Sequence, residues 1–426
     1  MALAGLARGV TAPRLALWSR ALSSTTPTLQ GMSNFPGANS RFVHELNLKR
    51  SIDNEPEPCY QIMNKEGVIV TPDEFPSEIS QQNILDWYKL MNTTNQMDQL
   101  LYNAQRQGRI SFYMTAYGEE GTHLGSAAAL DPEDVVYAQY REVGVLMYRG
   151  FSLKNVMDQC YSNSGDLGRG RQMPVHYGSA EHNFHTISSP LATQLPQAAG
   201  AAYALKTRGK RNCVICYFGD GSASEGDSSV ALNFSATLDC PVIYFCRNNG
   251  YAISTPTKDQ YRGDGIVSRA AGFGLDYIRV DGNDVFAVYN AVKIARERTI
   301  AEQRPVLIEA MTYRIGHHST SDDSSAYRGM DEVDTFSQDT PISRLERYMT
   351  NQGFWDEEKE AELQKTIRKE VRKEFADAEA RLKPSMRHMF EDVYADKPAR
   401  LQRQEAEMHE HLAKYPDDYP TNLHEA

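Results

Sequence analysis

Three short apolar runs, 212–218, 241–246 and 305–311, alternate with segments of helical periodicity, and this alternation constrains the fold more than any other feature of the chain. Runs of this kind read as strands buried on both faces. An alanine-rich helix is expected over 193–206, a second over 224–238, and a third over 284–302 with its start marked by Asp281-Gly282-Asn283. Strand, helix, strand, helix implies an α/β fold: a parallel sheet with helices on both faces. Ligands in such folds bind beyond the carboxyl ends of the strands.

The remaining segments frame this centre. Residues 42–80, rich in Pro, Asn and acidic side chains, are expected to wrap over a neighbouring surface rather than form a core. Residues 83–106 read as a helix, with Ile84, Trp87, Leu90, Met91, Met97 and Leu101 apolar. From 338 onward the chain is helical and highly charged, and the opposite charges at i,i+4 spacing over 356–381 suit a solvated face. The organisation is therefore a leader (1–30), an extended segment (31–80), an α/β domain (81–395) and a C-terminal helical tail (396–426).

Composition narrows the function. A net charge of −11 argues against nucleic acid or an anionic membrane as the main partner. The longest apolar stretches, such as 213–218, are far shorter than the ~20 residues of a membrane span. Cys213 and Cys216 form a C-x-x-C without a second pair at zinc spacing, inside an apolar run, and read as buried strand cysteines. Residues 1–44 contain no Asp or Glu, only Arg8, Arg14, Arg20 and Arg41 as charges, which is the composition of an organelle transit peptide.

The run 212–218 ends in Gly219-Asp220-Gly221, and Asn248-Asn249-Gly250 stands at the end of the next strand. Consecutive strand ends thus bring an acid and an amide to one edge of the sheet. A carboxylate with an amide oxygen suits a hard divalent cation such as magnesium, completed by substrate phosphates. Gly221 lets backbone N–H groups approach a phosphate, and the following helix offers its positive end. Arg247 can neutralise a diphosphate oxygen. A dinucleotide fingerprint is excluded because Ser224 stands at its third glycine, and no nucleotide-hydrolysing P-loop is present. The spaced GDG and NN resemble the motif of thiamin-diphosphate-binding folds.

From about residue 42 onward the chain is also similar to the alpha subunits of branched-chain 2-oxo-acid dehydrogenase complexes. The resemblance is carried by 108–113 (GRISFY), 168–178 (GRGRQMPVHYG), 188–194 (SSPLATQ), 246–255 (CRNNGYAIST) and 313–319 (YRIGHHS). It implies that Asp220, Asn249 and the backbone oxygen of Tyr251 hold magnesium. It also implies that Tyr140, Arg141, Ser189, Gly221, Ser222, Arg247 and His318 contact thiamin diphosphate. Ser188, Pro190, Thr193 and Gln194 are implied to bind a structural potassium ion, although the same string reads equally as a loop and helix start. The resembled subunits carry glutamate where this chain has Asp220.

The implied reaction is oxidative decarboxylation of a branched-chain 2-oxo acid, with transfer of the acyl group to the lipoyl group of an acyltransferase component. His318 is the candidate catalytic side chain, since imidazole titrates near neutrality; His317 reads as a surface residue, and His176 is open between a core hydrogen bond and the rim of the site. The resemblance implies a beta subunit that completes the site in a two-alpha, two-beta heterotetramer in the mitochondrial matrix. It further implies a regulatory kinase and phosphatase acting on Ser319. The segment 314–330, poor in apolar anchors, reads as a loop that orders or melts readily, and a phosphate on Ser319 would be repelled by Asp322 and Asp323. The alternatives are a pyruvate dehydrogenase alpha subunit, which differs around Met173 and His318, and a non-catalytic structural subunit, against which intact Asp220, Arg247, Asn249 and His318 weigh.

Overall fold

The computed structural model describes residues 35–37, 40–50 and 55–425. The leader expected over 1–30 lies outside them. Residues 40–50 are exposed throughout and belong to a unit separate from 55–425, which forms the body.

The body is built on a six-stranded, wholly parallel sheet. Its strands are β1 (Cys59–Tyr60), β2 (Val135–Tyr137), β3 (Val214–Gly219), β4 (Val242–Asn248), β7 (Asp276–Asp281) and β8 (Val306–Met311), in the order β1-β7-β8-β4-β3-β2. A small antiparallel hairpin, β5 (Tyr251–Ala252) with β6 (Thr255–Pro256), follows β4. The alternation of side chains along a strand divides the core into two layers. Ile215, Tyr217, Ile243 and Phe245 pack on the face covered by helices Gln81–Arg106, Glu120–Ala128 and Val285–Glu302. Val214, Cys216, Phe218, Val242, Tyr244 and Cys246 pack on the other, under helices Gln194–Thr207 and Gly226–Thr237. The α/β expectation holds, and Cys213 and Cys216 are free and buried as read.

Three features depart from the sequence reading. The stretch after residue 55 does not merely wrap the surface: β1 joins the sheet edge, and Ile62 and Met63 are fully buried. Asp284 makes this possible. Its Oδ1 caps helix Val285–Glu302 by accepting from Phe286 and Ala287, while its Oδ2 accepts from the Ile62 and Met63 amides at 2.7 and 2.6 Å. The helix expected over 224–238 is present as Gly226–Thr237, but a four-residue helical turn that the sequence reading did not give, Asp220–Ala223, precedes it, with Glu225 extended between them. Strands β2 and β7 were not legible, the first for its length and the second for its polar residues.

Among the described residues no helix is long and apolar enough to cross a membrane. The C-terminal region is helical over Pro341–Asn351, Glu357–Ala380 and Ala399–Lys414, and the last of these buries no residue.

Candidate active site at the carboxyl edge of the sheet

Four adjacent strands, β2, β3, β4 and β8, deliver polar residues to one edge. Parallel pairing sets Gly219 opposite Arg247, so Asp220 and Asn248-Asn249 leave the sheet side by side. After β2 come Gln139, Tyr140, Arg141 and Glu142, and after β8 come Arg314 and His318.

The centre is Arg247, buried with two carboxylates. Its Nε donates to Glu142 Oε1 at 2.8 Å, and its Nη1 lies 2.7 Å from Glu119 Oε2; both acids are fully buried. Nη2 has no hydrogen-bond partner among the described residues. An unsatisfied buried donor on a guanidinium is costly unless an anion meets it. Glu119 also orients the neighbouring amide: Asn249 Nδ2 donates to Glu119 Oε1 at 2.7 Å, which leaves Oδ1 as the free end, accepting a 3.3 Å contact from the Tyr251 amide. Asp220 is buried, with Oδ2 accepting from Gln260 at 2.7 Å. Burial pushes its carboxyl above the ordinary range, against the pull of Gln260 and Arg247.

These groups could hold a magnesium ion and a diphosphate. One carboxylate, one amide oxygen turned outward by Glu119, and a backbone carbonyl make a hard-oxygen donor set. Gly221 packs closely: a Cβ there would stand 3.0 Å from Ala252 Cβ and press it aside. Ser222 donates to Gln139 Oε1 at 3.1 Å, and the Gly219 amide donates to the same oxygen at 2.9 Å, tying β3's exit to that of β2.

A second group stands beside it. Arg141 Nη1 donates to Thr115 O, and Nη2 donates to His318 O at 2.7 Å and reaches His318 Nδ1 at 3.2 Å. Arginine only donates, so Nδ1 is the acceptor and Nε2 carries the proton. Burial first, then Arg141 and Arg314, push the imidazole down to about 3. The expectation that His318 titrates near neutrality therefore fails in this structure; it is a neutral N–H donor held between two cations. Tyr140 packs edge-on against it, ring centroids 6.2 Å apart.

The remaining predicted residues lie in other hydrogen-bond groups. Ser189 donates to His176 Nε2 at 2.7 Å, and His176 Nδ1 meets Pro174 O at 3.0 Å, which gives that buried histidine a structural partner. Thr193 Oγ1 lies 3.2 Å from Ser188 Oγ and 3.1 Å from Pro190 O, in a loop turned by Ala192 at φ 67°, while Gln194 donates to Tyr217 O. Ser319 is buried, its hydroxyl accepting from the Ser321 amide. Its loop does lack apolar anchors, but it is closed by polar ones. Arg328 donates to the carbonyls of Arg314, Ile315 and Gly316, Arg314 donates to Ile253 O and Tyr327, and His317 accepts from Ser324. His317 is thus half-buried and bonded, not a plain surface residue. Glu119, Gln139, Glu142 and Gln260 escaped the sequence reading, since each acts through a contact distant in sequence.

The residues that meet at this edge can be set beside known proteins. The model of the dehydrogenase E1 component family matches residues 88–387. The mitochondrial 2-oxoisovalerate dehydrogenase subunit alpha of Mus musculus is 56% identical over 403 residues, covering 94% of this chain and 91% of the relative. Its counterpart from Homo sapiens is 57% identical over 394 residues (92% and 88%), and that from Caenorhabditis elegans 56% over 381 (89% and 88%).

Proposed function

The chain belongs to the dehydrogenase E1 component family, and on that basis we propose that it is the alpha subunit of a thiamin-diphosphate-dependent decarboxylase acting on branched-chain 2-oxo acids. The observation that carries this reading is the delivery of Asp220, Asn249 and the Tyr251 turn to one strand edge beside a buried Arg247 whose Nη2 has no partner among the described residues. Relatives named for 2-oxoisovalerate support the substrate class.

In this reading Asp220, Asn249 and the Tyr251 carbonyl hold magnesium. Gly221, Ser222 and Arg247 take the diphosphate, with Tyr140, Arg141, Ser189 and His318 lining the remainder of the cofactor. Bound thiamin diphosphate supplies the electron sink for decarboxylation. The chain's part is to bind, orient and keep water out. Glu119 holds Asn249 and Arg247 in register, and Arg141 fixes the His318 tautomer so that its Nε2–H is available as a donor. Ser188, Pro190, Thr193 and Gln194 brace the loop before helix Gln194–Thr207 around a potassium ion; Thr193 Oγ1 already lies within hydrogen-bonding distance of Ser188 Oγ and of Pro190 O.

In this reading a beta subunit in a two-alpha, two-beta assembly completes the site. The acyl group then passes to the lipoyl group of an acyltransferase component. The relatives' names support a mitochondrial location, and we place the complex in the matrix. A kinase and a phosphatase act on Ser319, and because that hydroxyl is buried, the loop must open first. Ser319→Glu is therefore expected to lower acyl transfer to the lipoyl group sharply; full activity of that variant would remove the switch.

The test of the reading is to co-express the chain with its beta partner and compare 3-methyl-2-oxobutanoate with pyruvate. Faster decarboxylation of the branched acid is expected. A preference for pyruvate would overturn the substrate, since one or two methylenes are worth only ~1–3 kcal/mol of discrimination. Absence of magnesium-dependent thiamin diphosphate binding would reduce the chain to a structural subunit.

A further inference from the structure

The turn that follows β4 is held in an unfavourable conformation. Gly250 has φ 88° and Ile253 has φ 56°. A β-branched residue in the left-handed region is a genuine outlier, and such strain persists only where the surroundings over-determine it. Here the segment after β8 supplies the surroundings. The Arg314 amide donates to Asn249 O at 3.3 Å, and Arg314 Nη2 donates to Ile253 O at 2.8 Å. The guanidinium groups of Arg314 and Arg328 lie 5.6 and 5.8 Å from the centre of the Tyr251 ring.

The end of the Tyr251 side chain is fastened separately. Glu332, in the first turn of helix Met330–Ser337, accepts from Tyr251 Oη at 2.7 Å and from Tyr313 Oη at 2.9 Å. A carboxylate accepting two phenols forms charge-assisted bonds, stronger than neutral ones. Tyr251 and Tyr313 are both buried, and their rings stand edge to face, 6.3 Å apart. Glu332 therefore pins Tyr251, two residues beyond Asn249, from a helix 81 positions away.

We infer that Glu332 is a positioning residue for the metal-bearing turn: through the Tyr251 phenol it fixes the residue whose backbone carbonyl stands as a magnesium ligand. The inference rests on the magnesium and thiamin diphosphate reading given above. Glu332 touches neither group; it sets where a ligand stands. Partners of this kind, one step removed from a metal, characteristically change metal affinity when removed.

The test measures how much magnesium is needed for thiamin diphosphate to bind to the full chain assembled with its beta partner, by titration calorimetry. Glu332→Ala and Tyr251→Phe are each expected to raise the half-saturating magnesium concentration by ~10-fold or more. Glu332→Gln, which keeps an accepting oxygen but not the charge, is expected to recover part of that loss. The double variant should do no worse than either single one, because both remove the same bond. Tyr313→Phe removes the other phenol on Glu332 and should leave the magnesium requirement unchanged. A wild-type requirement in Glu332→Ala overturns the inference, as does additivity in the double variant or an equal shift in Tyr313→Phe. Asp220→Ala separates this from the underlying reading: retained magnesium dependence there would defeat the site itself, whereas its loss together with an unaffected Glu332→Ala would defeat only the positioning role.

Discussion

Two neighbouring regions of the site are built from arginines in opposite ways. Around Arg247 the guanidinium meets two fully buried carboxylates, and one of these also orients Asn249. In the loop 314–330 the guanidinium groups of Arg314 and Arg328 meet mainly backbone carbonyls and a phenol, with many neighbours half-exposed. A buried charge network is all or nothing, since removing one member strands another without water. The loop's network is also buried at its arginines, Arg314 and Arg328, but losing a donor there strands neutral carbonyls rather than a second charge, which costs less. The first region is suited to a fixed cofactor platform and the second to a segment that opens.

The sharpest way to break this contrast is at Glu119. Glu119→Ala leaves Arg247 with one carboxylate and Asn249 without its acceptor, and is expected to cost ~3–5 kcal/mol, read as a lower denaturant midpoint together with lost magnesium-dependent cofactor binding. A midpoint equal to wild type would show the cluster to be no platform. Arg328→Ala comes next. It removes the donor to three consecutive carbonyls, at ~1.5–3 kcal/mol for hydrogen bonds from a charged group. That loss is expected as faster amide hydrogen exchange confined to 314–330, with the global midpoint little changed. A global loss matching Glu119→Ala would make the loop part of the core.

The smallest effect concerns pH. His318 is pushed down to about 3 by burial and by Arg141 and Arg314, whereas an unfolded histidine titrates near 6.5. Below ~6.5 the unfolded chain takes up a proton that the folded chain refuses, so this contribution to stability is present above ~6.5 and lost as pH falls toward about 3. Asp98 and Glu120, raised by burial to about 7 and about 8, act in the opposite sense: their contributions are lost as pH rises through those values. The His318 share is isolated by comparison. His318→Asn should flatten the loss of loop protection between pH 7 and 5 relative to wild type, and an unchanged profile would show that His318 carries no such linkage.

How much of this was legible depends on where each signal resides. The strands β3, β4 and β8 are continuous apolar runs buried on both faces, and the sequence displays them directly. Strand β2 has three residues, and β7 hides as Asp-Tyr-Ile-Arg-Val-Asp, whose Arg279 becomes tolerable through Asp264, the buried Glu309 and the Glu57 carbonyl. Asp220, Arg247 and Asn249 were readable because strand ends announce them. Tyr140 and Arg141, beyond the unread β2, rested on resemblance alone.

By itself, then, the sequence determined the α/β layering and the strand-end acid, amide and arginine, because burial of both sheet faces and glycine at a strand exit leave local marks. Only the tertiary structure decided which group orients which. Glu119 lies 130 residues from the Asn249 amide it turns, and His318 loses its neutral-range titration because folding buries it and then sets Arg141, 177 residues away, against it. Side-chain orientation and proton affinity are set by neighbours brought together in space, and no local pattern encodes them.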